Sequence, residues 1–330
     1  RVYGFETCTP EMLRWMPALV PGLNHMVRAA AAMGRLDPAS TAVAVATPIY
    51  SPFLAAPVNN RAAVVEVPLA SIVEEPHGLR YGLDLEALDD ALARPEVTCL
   101  LWCNPHNPTG RVWTRDELKQ VAECCVRHNV FIQSDEVWGE LVLEPEKTPF
   151  VGMASLIDEV PGLRERLVVM TSTSKTYNVA STDCAVAAIP DESLRRAFAR
   201  TSRLGYVPES PFGLAAMHAA YTDVDGSVEA WRRRLVVYLR ANRDHIAKEL
   251  EGSGLVYTHP EATYLTWIDT AGVADRVGKS PGLFFEKRGV AFTDGAFFGG
   301  RGCVRLNFGC QRKTLDEGLR RTLRALEEPG

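Results

Sequence analysis

Two hydrophobic patterns alternate along the first two thirds of this 330-residue chain. Short apolar runs with β-branched residues are typical of buried parallel strands, and they predict strands at residues 41–46, 61–67, 97–103, 129–133 and 167–170. Between them, apolar residues recur at helical spacing, and the predicted helices begin near Leu23, at Asp84 and at the capping box Thr114–Glu117. Strands that alternate with helices predict a mostly parallel α/β sheet.

The last third of the chain has longer helices and fewer strands. A polar, glycine-containing break at residues 223–227 separates predicted helices at 192–204 and 212–221 from a long one at 228–250. We place a domain boundary there, with a large α/β domain at residues 1–222 and a smaller α+β C-terminal domain at 223–330. The elements predicted after this long helix are strands at 255–258, 263–268 and 303–307 and helices at 282–287 and 315–326.

Three predicted strands are followed by polar residues that could take part in binding or catalysis. Asn107 lies in the turn after strand 97–103, Asp135 directly follows strand 129–133, and Lys175 follows strand 167–170. Because parallel strands share one carboxyl edge, where open α/β folds bind ligands, we expect these side chains to meet. A lysine there can lose its solvent and its charge, as Schiff-base lysines must. A lone lysine in a polar loop is more often a surface residue, but three converging strand ends favour a site.

These residue types match the needs of pyridoxal phosphate (PLP). Lys175 would bind the cofactor aldehyde covalently, Asp135 would keep the pyridine nitrogen protonated, and Asn107 would hydrogen-bond the 3′-oxygen of the ring. A helix start with free N–H groups would hold the phosphate together with a hydroxyl, and an aromatic ring would stack on the cofactor. The residues predicted for these last contacts are Ala18, Leu19, Val20, Ser172 and Tyr50.

The motifs around these residues resemble those of the fold-type-I PLP enzymes, the aspartate aminotransferase superfamily. The most specific motifs are NPHNPTG at residues 104–110, SDE at 134–136, SxSKTYN at 172–178 and RLNFGC at 305–310. Within the superfamily, PHNPTGRVW and RLNFGC look most similar to the MalY/PatB group of cystathionine β-lyases and cysteine C–S lyases. The resemblance extends from about Pro10 to the end of the chain.

The resemblance implies a function and two further site assignments. Lys175 would be the proton shuttle, and Arg305 would bind the substrate α-carboxylate through two hydrogen bonds. The enzyme would be a C–S β-lyase that cleaves cysteine S-conjugates of the cystathionine, cystine or thiocysteine type to a thiol or persulfide, pyruvate and ammonia. It would act as a homodimer with its sites near the interface.

Two departures from the family pattern affect this interpretation. Related enzymes usually have tyrosine or histidine three residues after the aspartate, where this chain has Trp138, which we place at the cofactor. An indole donates one hydrogen bond but does not titrate. The family's N-terminal arm also precedes the point that matches Arg1. We therefore expect either a trimmed chain or a domain of a larger assembly-line protein, in which a carrier protein would present the substrate.

Two other function classes stay open. An aminotransferase of class I/II would use the same cofactor residues, and a non-catalytic regulatory or scaffold domain would keep the fold but agrees less well with intact Lys175, Asp135 and Arg305. A net charge of −5 without an extended basic segment indicates no nucleic-acid or anionic membrane partner. The eight cysteines show no CxxC pair and no metal spacing with histidine, and no apolar run reaches membrane-spanning length. We therefore expect no metal and a cytoplasmic location.

Overall fold

The computed structural model describes residues 3–74, 78–202 and 209–327. Its strands are β1 (Leu13–Met16), β2 (Ala42–Thr47), β3 (Ala63–Pro68), β4 (Ala70–Glu74), β5 (Gly78–Gly82), β6 (Val97–Cys103), β7 (Phe131–Asp135), β8 (Leu167–Thr171), β9 (Ala185–Ala188), β10 (Val256–Thr258), β11 (Leu265–Asp269), β12 (Thr293–Asp294) and β13 (Cys303–Asn307). Its α-helices are α1 (Leu19–Met33), α2 (Ser51–Asn59), α3 (Leu85–Leu92), α4 (Arg115–Arg127), α5 (Glu192–Ser202), α6 (Pro211–Thr222), α7 (Ser227–Leu250), α8 (Ala274–Val277), α9 (Pro281–Glu286) and α10 (Arg312–Glu327).

A first sheet of seven strands has the order β3-β2-β6-β7-β8-β9-β1. The five strands from β3 to β8 are mutually parallel, whereas β9 is antiparallel to both of its neighbours. In register, Cys103 lies opposite Asp135, and Asp135 lies opposite Met170. The carboxyl ends of β6, β7 and β8 are therefore level with one another, as expected for polar groups that share one sheet edge. The predicted mostly parallel α/β fold is confirmed.

Both faces of the first sheet are covered. On β2, Ala42, Ala44 and Ala46 pack into one core, which includes Leu88 of α3 and Leu118 of α4. The alternate β2 residues pack on the other face with side chains from α1 and α5, and this second core includes Val43, Val45, Met26 and Phe198. A parallel sheet buried on both faces explains why its strands have continuous apolar sequences.

The second sheet has six strands in the order β12-β13-β11-β10-β5-β4. Helices α7, α9 and α10 contribute to its core, together with Leu265, Ile268 and Val304 from the strands. The hairpin of β4 and β5 pairs with β10 in this sheet, although the sequence analysis placed residues 70–82 in the large domain. The boundary near residue 222 stays a prediction, and α6 and α7 lie on either side of it.

Several elements differ from the sequence prediction. The strand predicted at 129–133 is two residues later, so Asp135 is its last residue, and the strand predicted at 61–67 begins at Ala63. Helix α2, which contains Pro52 and Pro57, was not predicted. Five short strands were not predicted: β1, β4, β5, β9 and β12. The last two residues of the helix predicted at 192–204 lie outside the described residues.

Candidate active site

One cavity of about 280 Å³ brings all of the predicted site residues together. It lies at the carboxyl ends of β6, β7 and β8, and β13 of the second sheet contributes one wall. The predicted residues that line it are Ala18, Leu19, Val20, Tyr50, Asn107, Asp135, Trp138, Ser172, Lys175 and Arg305. The two sheets therefore meet at the point where the sequence predicted the cofactor and the substrate carboxylate.

Lys175 is half-buried and lies in the turn that follows β8. Its Nζ atom is 5.7 Å from the centroid of the Trp138 ring. Burial lowers the pKa of this amine, and the nearby charge of Arg305 lowers it further, whereas the negative charge of Asp135 opposes the shift. A lysine amine that loses its proton more readily is suited to forming a covalent bond with an aldehyde and to accepting a proton.

Asp135 is only 5% exposed. Its Oδ1 atom accepts a hydrogen bond of 3.2 Å from the backbone N–H of Val137. Burial raises the pKa of this carboxyl to about 7, while the Val137 N–H and the charge of Lys175 act in the opposite direction. A buried carboxyl with little compensation is expected to recruit a positive partner, and the protonated nitrogen of a pyridine ring fits this need.

The first turn of α1 fits a phosphate group. Ala18 is the N-cap residue with extended backbone (φ −160°), and no side chain caps the free N–H groups that follow it at Leu19 and Val20. The predicted hydroxyl partner is arranged differently, because Ser172 Oγ donates to the carbonyl of Cys184 at 2.6 Å. It also accepts a hydrogen bond from the N–H of Ser174 at 3.1 Å. Ser172 thus shapes the turn before the lysine, and the helix start offers the free donors.

Arg305 lies on β13, opposite Trp267 of β11. Its Nη1 atom donates a hydrogen bond of 3.1 Å to Oδ1 of Asn107. Its Nε atom is buried and makes no hydrogen bond within the described part of the chain. Arg305 lines the cavity, where a guanidinium can bind a carboxylate through two parallel hydrogen bonds.

Two aromatic residues of the site were missed by the sequence analysis. Tyr264 lines the cavity, and its ring packs edge-on against Trp138 with 4.7 Å between centroids. Phe298 lies with its ring centroid 4.6 Å from Cζ of Arg305. Tyr264 was assigned to the interior of a predicted strand, but β11 begins only at Leu265. No periodic pattern marks either ring, since both lie in irregular segments beside strands.

A second group of polar side chains lies outside the cavity, between α3 and α4. Cys124 and His128 contact Oδ1 of Asp89 at 3.3 and 2.9 Å, and Arg127 forms an ion pair with the same oxygen. Asp89, Cys124 and His128 have side-chain atoms close enough together to ligate a metal. The carboxylate is already engaged by the neighbouring arginine and histidine, so we interpret the group as a hydrogen-bonded contact between two helices.

A parallel sheet whose carboxyl edge presents a lysine, a buried aspartate and an uncapped helix start is the arrangement of a PLP-dependent enzyme of fold type I. The sequence profile of the family "Aminotransferase class I and II" matches residues 17–321. This match covers most of the chain, and the chain therefore belongs to the class I and II aminotransferase family.

Individual relatives narrow the similarity. The chain is 32% identical to cystathionine beta-lyase PatB of Bacillus subtilis (strain 168), over 96% of this chain and 78% of the relative. Among solved structures, OvoB matches with a TM-score of 0.86 and 36% identity, covering 98% of this chain and 79% of the other. The PLP-bound C-S lyase from Staphylococcus hominis matches with a TM-score of 0.84 and 26% identity, covering 97% and 78% of the two chains.

These similarities confirm the predicted family, the fold type and PLP as the cofactor of the family. They also confirm the expectation of a PLP-dependent carbon–sulfur lyase at the level of the group that the chain resembles. The roles of the individual site residues stay predictions. No helix among the described residues combines the length and the apolar character needed to cross a bilayer.

Proposed function

We propose that this protein is a PLP-dependent C–S β-lyase acting on cysteine S-conjugates of the cystathionine, cystine or thiocysteine type. The observation that carries the PLP-dependent activity is the convergence of Lys175, Asp135 and Arg305 on one cavity from two different sheets. The similarity to proteins named cystathionine beta-lyase and C-S lyase supports this choice of reaction.

When bound, PLP would supply an electron sink that makes the substrate Cα–H acidic. The residues that would hold it are Asp135 at the ring nitrogen, Asn107 at the 3′-oxygen, Tyr50 at the ring face and the α1 start at the phosphate. Arg305 would orient the substrate through its α-carboxylate, which fixes the position of Cα relative to Lys175. Trp138 would pack beside the lysine and exclude water.

Lys175 would move the proton in the reaction. Its lowered pKa favours the neutral amine, which can accept the Cα proton. Trp138 does not titrate, so Nζ of Lys175 would be the main proton carrier on its side of the site. The overall reaction balances as R–S–CH2–CH(NH3+)–COO− plus water giving R–SH, pyruvate and ammonium. The C–S bond and the Cα–H bond break, and the sulfur leaves as a thiol, or as a persulfide when R carries a sulfur bonded to S. Water then replaces nitrogen at Cα, which breaks the Cα–N bond and releases ammonium.

The test is the stoichiometry of products. Purified protein loaded with PLP should release one pyruvate and one thiol or persulfide per cystathionine, cystine or other S-substituted cysteine, without added keto acid. Transamination of alanine or aspartate should be slow in comparison. If no cysteine conjugate gives pyruvate, while a keto acid is aminated efficiently, the lyase function is refuted.

That refuting result would support the second candidate, a class I/II aminotransferase. One observation favours keeping it: the chain is 30% identical, over 91% of its length, to a protein named probable N-succinyldiaminopimelate aminotransferase DapC from Mycobacterium tuberculosis. In that reaction Lys175 would return the proton to the cofactor carbon instead of allowing the sulfur to leave. The first proton abstraction is common to both reactions, so the residues described above do not separate them.

The partners and the setting belong to the same proposal. We infer a homodimer, and the exposed apolar side chains on and after α6 support it: Phe212 is 80% exposed and Val224 is 95% exposed. A cytoplasmic location and an embedded position within a larger assembly-line protein, with substrate presented on a carrier, are retained as proposals. Pyruvate release from a free cysteine conjugate at the same rate as from a carrier-bound one would argue against the carrier.

A further inference from the structure

The guanidinium of Arg305 lies over the ring of a residue that the predicted site did not include. The ring centroid of Phe298 is 4.6 Å from Cζ of Arg305, and Phe298 is only 2% exposed. The residue ends the short 3-10 helix Gly295–Phe298, which precedes β13 in the chain. Its buried ring therefore lies beneath a half-buried cation.

Phe298 is held in place from two directions. Its ring packs edge-on against Trp267, with 5.5 Å between centroids, and Trp267 Nε1 donates to the hydroxyl of Tyr81 at 3.1 Å. Its carbonyl accepts a hydrogen bond of 2.9 Å from the N–H of Ile49, in the first-sheet loop after β2. Phe298 thus precedes a strand of the second sheet in the chain, and its carbonyl is hydrogen-bonded to a loop of the first sheet, which would hold the cofactor.

These contacts form a closed cycle that includes Arg305, the residue proposed to bind the substrate carboxylate. Arg305 donates to the side chain of Asn107, and the carbonyl of Asn107 accepts from the N–H of Tyr50 at 3.0 Å. Ile49, which precedes Tyr50, donates to Phe298, and the Phe298 ring returns to Arg305. Each residue in this cycle restrains the position of the next. The guanidinium of Arg305 is therefore held by a hydrogen bond to Asn107 and by the ring of Phe298.

We propose that Phe298 is a positioning residue that holds the guanidinium of Arg305 in place for the substrate α-carboxylate. This inference rests on the carboxylate role given to Arg305 under the proposed function. Nε is buried and makes no hydrogen bond within the described residues, so the contacts that hold the guanidinium are Asn107 and the Phe298 ring. The aromatic face stabilises the half-buried cation between turnovers without offering it a competing acceptor, as a carboxylate side chain in the same place would do.

The test separates the substrate carboxylate from everything else in the site. L-alanine and L-alaninamide differ only at that group, and neither has a leaving group on Cβ. Their dissociation constants can be measured from the change in the visible absorbance of the PLP-loaded protein, and solvent exchange of the α-proton can be followed by NMR in deuterium oxide. The exchange measurement reports the first proton abstraction, which a lyase and an aminotransferase share, and the absorbance is read before any pyruvate accumulates.

The variants isolate the aromatic face. Phe298→Leu removes it and keeps an apolar side chain, whereas Phe298→Tyr keeps the face. We expect Phe298→Leu to weaken alanine binding by about 3- to 30-fold, equal to about 0.7–2 kcal/mol, while alaninamide changes less than twofold. Phe298→Tyr should restore the preference for the carboxylate. Replacing Phe298 by trifluorophenylalanine keeps the shape, weakens the electrostatic attraction of the ring, and should give part of the same loss even if the leucine variant does not fold.

Phe285→Leu is the matched control, because Phe285 is a fully buried phenylalanine of α9 in the core of the second sheet and does not line the cavity. It should leave the alanine-to-alaninamide ratio unchanged. Equal loss of both ligands in Phe298→Leu, or no loss of either, would overturn the positioning role alone. Equal binding of alanine and alaninamide by the wild-type protein would overturn the carboxylate role of Arg305 together with it. The product stoichiometry described above decides separately whether the protein is a lyase.

Discussion

Replacing Arg305 by lysine tests whether this residue binds the substrate and not the cofactor. The guanidinium donates to Asn107 and lies over the ring of Phe298, and its planar fork can offer two parallel hydrogen bonds to a carboxylate, a combination that an ammonium cannot provide. Lysine would keep a positive charge but would lose the planar fork. We therefore expect Arg305→Lys to reduce kcat/KM for cysteine conjugates while PLP still binds.

The size of the effect follows from these contacts. Removing one partner of a buried charge pair costs about 2–5 kcal/mol, and the retained charge of lysine places Arg305→Lys at about 2–3 kcal/mol, or roughly 30- to 150-fold in kcat/KM. Arg305→Met, which also removes the charge, should fall towards the upper end of the range, on the order of a thousandfold.

The assay is steady-state pyruvate formation, with PLP affinity measured in parallel from the visible absorbance. Arg301→Lys is the matched control, since Arg301 is exposed and does not line the active-site cavity. A change in kcat/KM of less than twofold in Arg305→Lys would place the carboxylate site elsewhere. Loss of PLP binding in the same proportion as activity would show that Arg305 acts on the cofactor and not on the substrate.

Three further predictions concern the lysine, a buried acid and the assembly. Lys175→Ala should lose the visible absorbance of covalently bound PLP and several powers of ten in rate while circular dichroism stays native, and a wild-type rate would refute its role. Burial raises the pKa of Glu136 to about 8, so the folded state favours the protonated carboxyl. The free energy of unfolding should therefore fall as the pH rises from about 4.5 to about 8, because the unfolded state loses this proton first. Urea unfolding of Glu136→Gln should therefore show a flatter pH dependence than the wild type, and parallel curves would contradict this. Light scattering should give twice the chain mass, whereas a fully active monomer would exclude the proposed homodimer.

The strands that position the cofactor groups could be predicted because their sequences have a physical signature. Strands buried on both faces need continuous apolar runs, and their polar ends are conspicuous beside them, as at Asp135 and Lys175. The start of α1 was visible as a small-residue loop before a helical pattern, and the structure places Ala18 at its N-cap. For these residues local sequence was sufficient, because one short segment determines both the strand and the group at its end.

The parts that could not be predicted depend on contacts between distant segments. The hairpin of β4 and β5 joins a sheet whose other strands come at least 170 residues later, and no local pattern specifies that partner. Tyr264 and Phe298 reach the site through the pairing of β11 with β13 and through an irregular turn. The engagement of Ser172 by the Cys184 carbonyl was equally hidden, because a serine in a loop has many possible acceptors.

The order in which the chain visits the two sheets affects how the protein could be recombined. The described chain builds β1 to β3 in one sheet, β4 and β5 in the other, β6 to β9 in the first again, and β10 to β13 in the second. The residue that would bind the substrate α-carboxylate and those that would hold the cofactor therefore lie in segments that belong to different sheets. A chimera that exchanges the second sheet between relatives would need two grafted pieces, residues 70–82 and 256–307, transferred together. Grafting only the C-terminal piece would pair β10 of one protein with the β4–β5 hairpin of the other. We expect this mismatch to weaken the pairing of β10 with β5.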